Sequence, residues 1–291
     1  MDLSNAIKVN DLALINKLIS NGINPNIPSG SEYPLFLSIG SYNGQIFDLL
    51  LNHPSIDLSV KDIYGRNALN WAIIYGKEQI FSKIINLMPS LVNNYDVTHR
   101  SIIRYILVNR QYQLLDIVCS HLKFIDMDDV LYAIEKIEDN DVLRKLLSLT
   151  NDIYSMLSCA IDHHNHEAFD LIVELYSDKV KDVINYSDYQ HYGFTLFHRM
   201  IYDEHVDMIE KMLKLGVNPN IANMNGDTPL HTAASLGYNQ IVELLVKYEA
   251  NINIKNNNGD TPIDLAVEEG HDDIAQYLRE NRYPPDVKQP E

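Results

Sequence analysis

The chain has 291 residues, 46% of them hydrophobic, and carries 40 acidic against 23 basic side chains for a net charge of −17. No apolar run approaches the ~18–20 residues a membrane helix needs, and the first residues lack a basic-then-apolar leader, which argues against membrane insertion and a secretory signal. Two cysteines, Cys119 and Cys159, are too few for a disulfide framework and point to a reducing, cytoplasmic setting.

The charge is unevenly spread. Residues 1–125 hold 10 Lys/Arg and 9 Asp/Glu, a net of +1, whereas residues 126–291 hold 13 and 31, a net of −18. An acidic half repels nucleic-acid phosphates and anionic lipid headgroups, so neither is an expected partner.

In chain order, Ala6-Ile7 and the apolar residues of 14–19 predict a first helix pair, closed by Asn21-Gly-Ile-Asn-Pro-Asn26. Tyr33-Pro34-Leu35-Phe36 followed by 46–51 predicts a second. Gly65-Arg-Asn-Ala-Leu69-Asn-Trp-Ala72, then Gly76 and 80–85, predicts a third. Between 95 and 189 the apolar pattern still pairs helices, at 102–108 with 114–118, 130–137 with 142–147, and 157–161 with 169–175, but the spacing is irregular. Regularity then returns. Gly193-Phe-Thr-Leu-Phe-His198, Gly226-Asp-Thr-Pro-Leu-His231 and Gly259-Asp-Thr-Pro-Ile-Asp264 recur every 33 residues. Each is followed by a helical apolar stripe such as Ile241, Leu244 and Leu245.

Thr228 and Thr261 suit helix N-caps, Pro229 and Pro262 the first helical position, and Gly226 and Gly259 a turn needing positive φ. The segment 224–256 resembles the ankyrin repeat closely, and weaker copies cover the remainder. The resemblance implies an all-α repeat solenoid of stacked helix-turn-helix units with short β-hairpin loops. Clear repeats are expected at 29–94 and 190–283, degenerate ones at 95–189, within a single solenoid over 1–283 of about nine helix pairs. A flexible tail follows at 284–291. His198 and His231, by the same resemblance, bond to the neighbouring hairpin backbone and link repeats.

Catalytic and metal constellations are weak. His163-His164-x-His166 is dense in imidazole but reads as a turn between helices, and the alternative is an enzyme with a cryptic site there, using Cys159 four residues before His163. No cofactor or metal site is expected. The function implied by the resemblance is a non-enzymatic, monomeric scaffold that binds a protein on its concave face. The acidic half suggests that the partner has a basic patch. Mapped onto this sequence, the exposed loop and first-helix positions are Ile63, Tyr64, Arg66, Tyr75, His191, Tyr192, Phe194, Tyr202, Met224, Asn225, Asp227, Ser235, Asn257 and Asp260. Ile63 and Phe194 could instead pack between adjacent loops. A composition rich in Asn, Ile, Tyr and Lys suggests an AT-rich genome, and stand-alone ankyrin proteins of this kind resemble effectors that intracellular bacterial pathogens secrete into the host cell, or ankyrin proteins of large DNA viruses.

Overall fold

A helix starts where its first free N–H groups find an acceptor, and this chain supplies one at most starts. The computed structural model describes residues 2–41, 43–186 and 194–281. Among these, Asp2, Asp11, Asn43, Asn67, Ser101, Asp139, Asp152, Asn165, Thr195 and Thr261 each accept a backbone N–H from the first turn. Pro34, Pro229 and Pro262 occupy the opening helical position, where a missing N–H removes no bond.

The described residues form two compact units divided after Ala133. The first contains helix pairs α1 (Leu3–Lys8) and α2 (Leu12–Ser20), α3 (Pro34–Gly40) and α4 (Gly44–Leu51), and α5 (Ala68–Ile74) and α6 (Glu78–Leu87). A fourth pair is α7 (Ile102–Val108) and α8 (Leu115–Cys119). The opening helices α1, α3, α5 and α7 pack in a row, each on the next. The division falls within α9 (Met127–Lys136), which is followed by α10 (Asn140–Leu147).

The second unit continues with α11 (Ile153–Asp162) and α12 (His166–Leu175), then α13 (Ser177–Ile184), an additional helix whose Val180, Val183 and Ile184 recur at helical spacing outside the expected pairs. Three further pairs follow: α14 (Leu196–Tyr202) and α15 (Val206–Lys214), α16 (Pro229–Leu236) and α17 (Asn239–Lys247), and α18 (Pro262–Glu268) and α19 (Asp272–Glu280). Here α11, α14, α16 and α18 form the row of opening helices. Phe47, Phe81, Phe169 and Phe197 are fully buried, and burying a side chain of this size stabilises the fold by about 1.5–3 kcal/mol. Ala233 and Ala234 are also fully buried, where larger groups would hold the helices apart.

The loops before α5, α16 and α18 are tight turns rather than strand pairs. Asp62 N donates to Arg66 O, Asn223 N to Asp227 O and Asn256 N to Asp260 O, one such rung per loop. With so few residues per arm these loops form no ladder, and an isolated bridge joins Ser29 to Glu32. In these three loops the expected β-hairpins are turns stabilised by side chains: the Asp62, Asn223 and Asn256 carboxyl or amide oxygens each accept two backbone N–H groups of their own loop.

Three recurrent hydrogen bonds tie successive repeats together. At the helix caps, His198 Nε2 donates to Asp227 O and His231 Nε2 to Asp260 O, each at 3.1 Å, while each Nδ1 accepts from the N–H of its cap threonine. The carbonyls can only accept, so the proton of each neutral ring sits on Nε2. In the first unit Asn67 and Asn70 replace this Thr–His box, with Asn67 Nδ2 donating to Leu91 O. Ser101 and Arg104 replace it again, both bonded to the buried carboxylate of Asp129.

At the repeat ends, Asn26, Asn93 and Asn220 accept from the N–H of Asp57, Lys123 and Asn251. At the caps of the second helices, Asn165, His205 and His271 donate to the carbonyls of Ile134, Ile161 and Ser235, in the preceding opening helices.

The turn inside seven of the described helix pairs holds a left-handed residue. Gly76, Gly237 and Gly270 adopt this conformation without strain, but Asn10, Arg110, His164 and Glu204 also adopt it, with φ between 52° and 58°. A left-handed non-glycine costs roughly 1–2 kcal/mol, offset in a glycine variant by about 0.5–1 kcal/mol of extra unfolded-chain entropy. Arg110→Gly and Glu204→Gly should each therefore stabilise the protein by about 0.5–1 kcal/mol in urea unfolding. Gly237→Ala should destabilise it, because a Cβ there would lie 2.6 Å from the His271 ring. Loss of stability in both exposed glycine variants would show that this turn is unstrained.

The buried cap histidines add a pH dependence. Burial holds His198 down at about 4, and burial also lowers His231 and His205. An unfolded histidine titrates near ~6.5, so the unfolded state binds more protons between that value and 4. The stabilising contribution is complete above pH ~6.5 and is lost as pH falls toward 4. Urea midpoints should drop over that window, and His198→Asn should flatten the drop; a midpoint constant from pH 7 to 4 would contradict the neutral caps.

Candidate partner-binding surface

The turn before α5 is organised by one carboxylate. Asp62 Oδ1 accepts from the N–H of Tyr64 and of Arg66, both at 2.9 Å, and Oδ2 accepts from Arg66 Nε at 2.7 Å and Trp71 Nε1 at 3.2 Å. Its side chain is only 5% exposed. Tyr64 O accepts from Val97 N, which couples this tip to the next one. The turn therefore holds Ile63 and Tyr64 outward, 68% and 54% exposed, on a rigid base.

Behind the tip, Trp71 and Tyr75 lie four residues apart on α5 and share a face. Their rings stack at 5.4 Å, Trp71 stacks on Phe36 of α3 at 5.9 Å, and Phe36 meets Tyr33 at 5.3 Å. The Arg66 guanidinium lies 4.3 Å above Trp71 and 4.7 Å from the Tyr64 ring centre. Tyr75 sits against Gly40, where an added Cβ would be 2.8 Å from its ring, so the absence of a side chain at 40 makes room for it. These groups line an open groove of about 260 Å³, with Ile63, Tyr64 and the 45%-exposed Tyr75 along it.

Four of the expected residues, Ile63, Tyr64, Arg66 and Tyr75, thus meet in one groove. Tyr33, Phe36 and Trp71 belong to it as well and escaped the sequence reading. The signal for them was present as aromatics spaced for stacking on neighbouring opening helices, but their apolar character matched the core pattern equally well.

In the second unit the expected residues are more dispersed. His191 and Tyr192 lie outside the described residues. Phe194 is half-buried with its ring edge-on to His198 of the same repeat at 5.8 Å. Tyr202 and Met224 are exposed, and no ring contact joins Tyr202 to Phe194 among the described residues. Asn225 O accepts from Asn257 N, Asn257 Nδ2 donates to Met224 O, and Asp227 Oδ1 accepts from Asn256 Nδ2. Asp227, Asp260 and Ser235 lend their carbonyls to His198, His231 and His271. These polar positions hold the repeats in register.

The imidazole-rich segment is a turn. His163 caps the end of α11, His164 is left-handed, Asn165 caps α12 and His166 begins it. His164 and His166 lie 4.5 Å and 6.1 Å from His205 between ring centres, but no three His, Cys, Asp or Glu among the described residues are placed to hold a metal ion.

Cys159 Sγ is 3.6 Å from His163 Nδ1, and His163 Nε2 is 3.9 Å from Glu135. The line-up superficially matches a thiol–imidazole–carboxylate relay. However, Nδ1 is also 2.9 Å from Cys159 O, an acceptor that calls for a proton on that nitrogen and leaves it unable to take one from the thiol. Burial, with Glu135 adding to it, pushes the thiol up to about 11, the reverse of an activated nucleophile. Iodoacetamide should therefore alkylate Cys159 in the native protein at pH 7 far more slowly than in the urea-unfolded chain; equal rates would reinstate it as a reactive group.

The family model described as ankyrin repeats in three copies matches residues 3–101 and 197–289. The unmatched stretch between them is the one where the 33-residue signature decays, although α11 and α12 there use the same inter-repeat bonds as the matched repeats. No curated protein matches the chain. Among the described residues no helix is long and apolar enough to cross a membrane. Ankyrin repeats are generally protein–protein interaction modules. With the matched stretches covering more than half of the chain, and stacked helix pairs in both units, the protein belongs to the ankyrin-repeat family.

Proposed function

We propose that the protein is a non-catalytic scaffold that binds a protein partner through the turn tips and opening helices, with the Trp71 groove as its main anchor. The observation that carries this reading is the convergence of Ile63, Tyr64 and Tyr75, all exposed, on a groove floored by Trp71. Exposed aliphatic and aromatic side chains on a rigid base match the character of interface hot spots, since little conformational freedom is lost when they are covered. The raised thiol of Cys159 weighs against the cryptic-enzyme alternative.

The net charge of −18 over residues 126–291 supports a basic patch on the same partner, attracted to the second unit and most strongly at low salt. Tyr202, Met224 and the neighbouring turn tips are the contacts that this attraction would bring into play. The AT-rich compositional bias supports a setting in which the protein, a monomer in the cytoplasm, is delivered as an effector to a host protein.

The test begins by recovering a partner from host lysate and identifying it by mass spectrometry, followed by affinity measurement with purified proteins. Truncating a central anchor commonly costs ≥2 kcal/mol, so Tyr64→Ala with Tyr75→Ala should weaken binding at least tenfold while circular dichroism stays unchanged. His163→Ala with His166→Ala should bind like the parent. Normal binding by the tyrosine variant, with loss in the histidine variant, would move the site to the α11–α12 turn.

A further inference from the structure

The chemistry of the Trp71 groove indicates what enters it. Arg66 is held by Asp62 through Nε and by its guanidinium lying over the Trp71 and Tyr64 rings, at 4.3 Å and 4.7 Å from their centres. Its terminal nitrogens Nη1 and Nη2 make no hydrogen bond among the described residues, and its side chain is 21% exposed. A guanidinium held by Nε and stacked on an indole presents its remaining N–H groups as a prearranged fork, whose spacing matches the two oxygens of a carboxylate.

The charges around the fork favour the same ligand. Asp62 is turned inward with both oxygens occupied. Asp96 in the adjoining turn is likewise consumed, by the N–H groups of Thr98 and Arg100, the Thr98 hydroxyl and the Tyr105 hydroxyl. Glu32, at the α3 end of the groove, is paired with Lys8. The cationic groups of these two turns, Lys61 and Arg100, are instead exposed. The edge therefore presents positive charge outward and keeps its negative charge internally compensated, in a half of the chain whose net charge is +1 rather than strongly negative.

We propose that this groove receives a segment of the partner in which an acidic side chain neighbours an aromatic or aliphatic one. The carboxylate closes on Nη1 and Nη2 of Arg66, and the apolar side chain lies along Tyr75 and Ile63. This rests on the protein-binding reading above and adds a sign to it: the segment entering the groove is acidic, opposite to the basic patch attracted by the second unit.

Trp71 is the sole tryptophan, so its emission reports on the groove directly in the full-length protein. Three acetylated and amidated octapeptides would serve as probes, identical in their phenylalanine and leucine positions and carrying glutamate, glutamine or lysine between them. The glutamate peptide should shift Trp71 emission and bind at least tenfold more tightly than the glutamine peptide, with the lysine peptide weakest. Arg66→Lys keeps a cation beside Asp62, so the turn stays closed, but it lacks the fork. It should lose at least fivefold in affinity for the glutamate peptide and a clearly smaller factor for the glutamine peptide.

Equal or tighter binding of the glutamine or lysine peptide would overturn the acidic assignment, as would an Arg66→Lys variant with unchanged affinity. If all three peptides bind alike and Tyr75→Ala weakens them together, the acidic specificity falls and the groove remains an interaction site. If none shifts Trp71 emission and the Tyr64→Ala, Tyr75→Ala variant retains its partner, the groove itself is not the anchor.

Discussion

The structure depends on how each repeat satisfies polar groups that its neighbour buries. Stacking one helix pair on another removes turn carbonyls and helix ends from water, and an unpaired buried carbonyl or N–H costs about 1–3 kcal/mol. The chain answers with side chains that reach across: His198 and His231 at the caps, Asn26, Asn93 and Asn220 at the repeat ends, and Asn165, His205 and His271 at the second-helix caps. Hydrophobic burial supplies most of the stabilising free energy, but it is non-directional. These bonds select the register in which the apolar stripes meet.

That constraint explains why the repeats survive where their signature does not. The cap position needs a side chain that bonds both its own helix start and the next turn, and several chemistries can meet it. Thr–His does so in α14 and α16, Asn–Asn in α5, and Ser–Arg in α7 with Asp129 supplied by the following segment. Seven inner turns similarly hold a left-handed residue, which Arg110, His164 and Glu204 provide as Gly237 does. Geometry is retained while residue identity drifts, at a modest cost in strain.

The same economy shapes the groove. Asp62 closes the turn before α5 and in doing so fixes Arg66 and Trp71, so a structural carboxylate positions the groups that face solvent. Tip rigidity comes from this network and from the Tyr64–Val97 backbone bond. The tips of the second unit are stabilised by the analogous Asn223 and Asn256, but no arginine takes the place of Arg66 there: Asp227 and Asp260 stand at the corresponding loop positions. One loop design thus presents opposite charge in the two units.

The helix pairs, their caps, the 33-residue period and the split in charge follow from the sequence by itself, because each depends on residues close together in the chain: an apolar stripe of period 3.6, a cap beside its helix, a proline at its start. Helix α13 and the Ser101–Arg104–Asp129 cap did not, since one is a third helix appended to a pair, with its apolar stripe of Val180, Val183 and Ile184 outside the repeat pattern, and the other draws its acceptor from 28 residues away. The groove is a tertiary product in the same sense. A repeat period establishes which positions recur, but the meeting of Tyr33 and Phe36 with Trp71 and Tyr75 depends on how far two opening helices approach. Gly40 decides that approach for Tyr75 by having no side chain. Whether an aromatic residue fills a core or faces a partner is settled by the distance between helices, which only the folded packing sets.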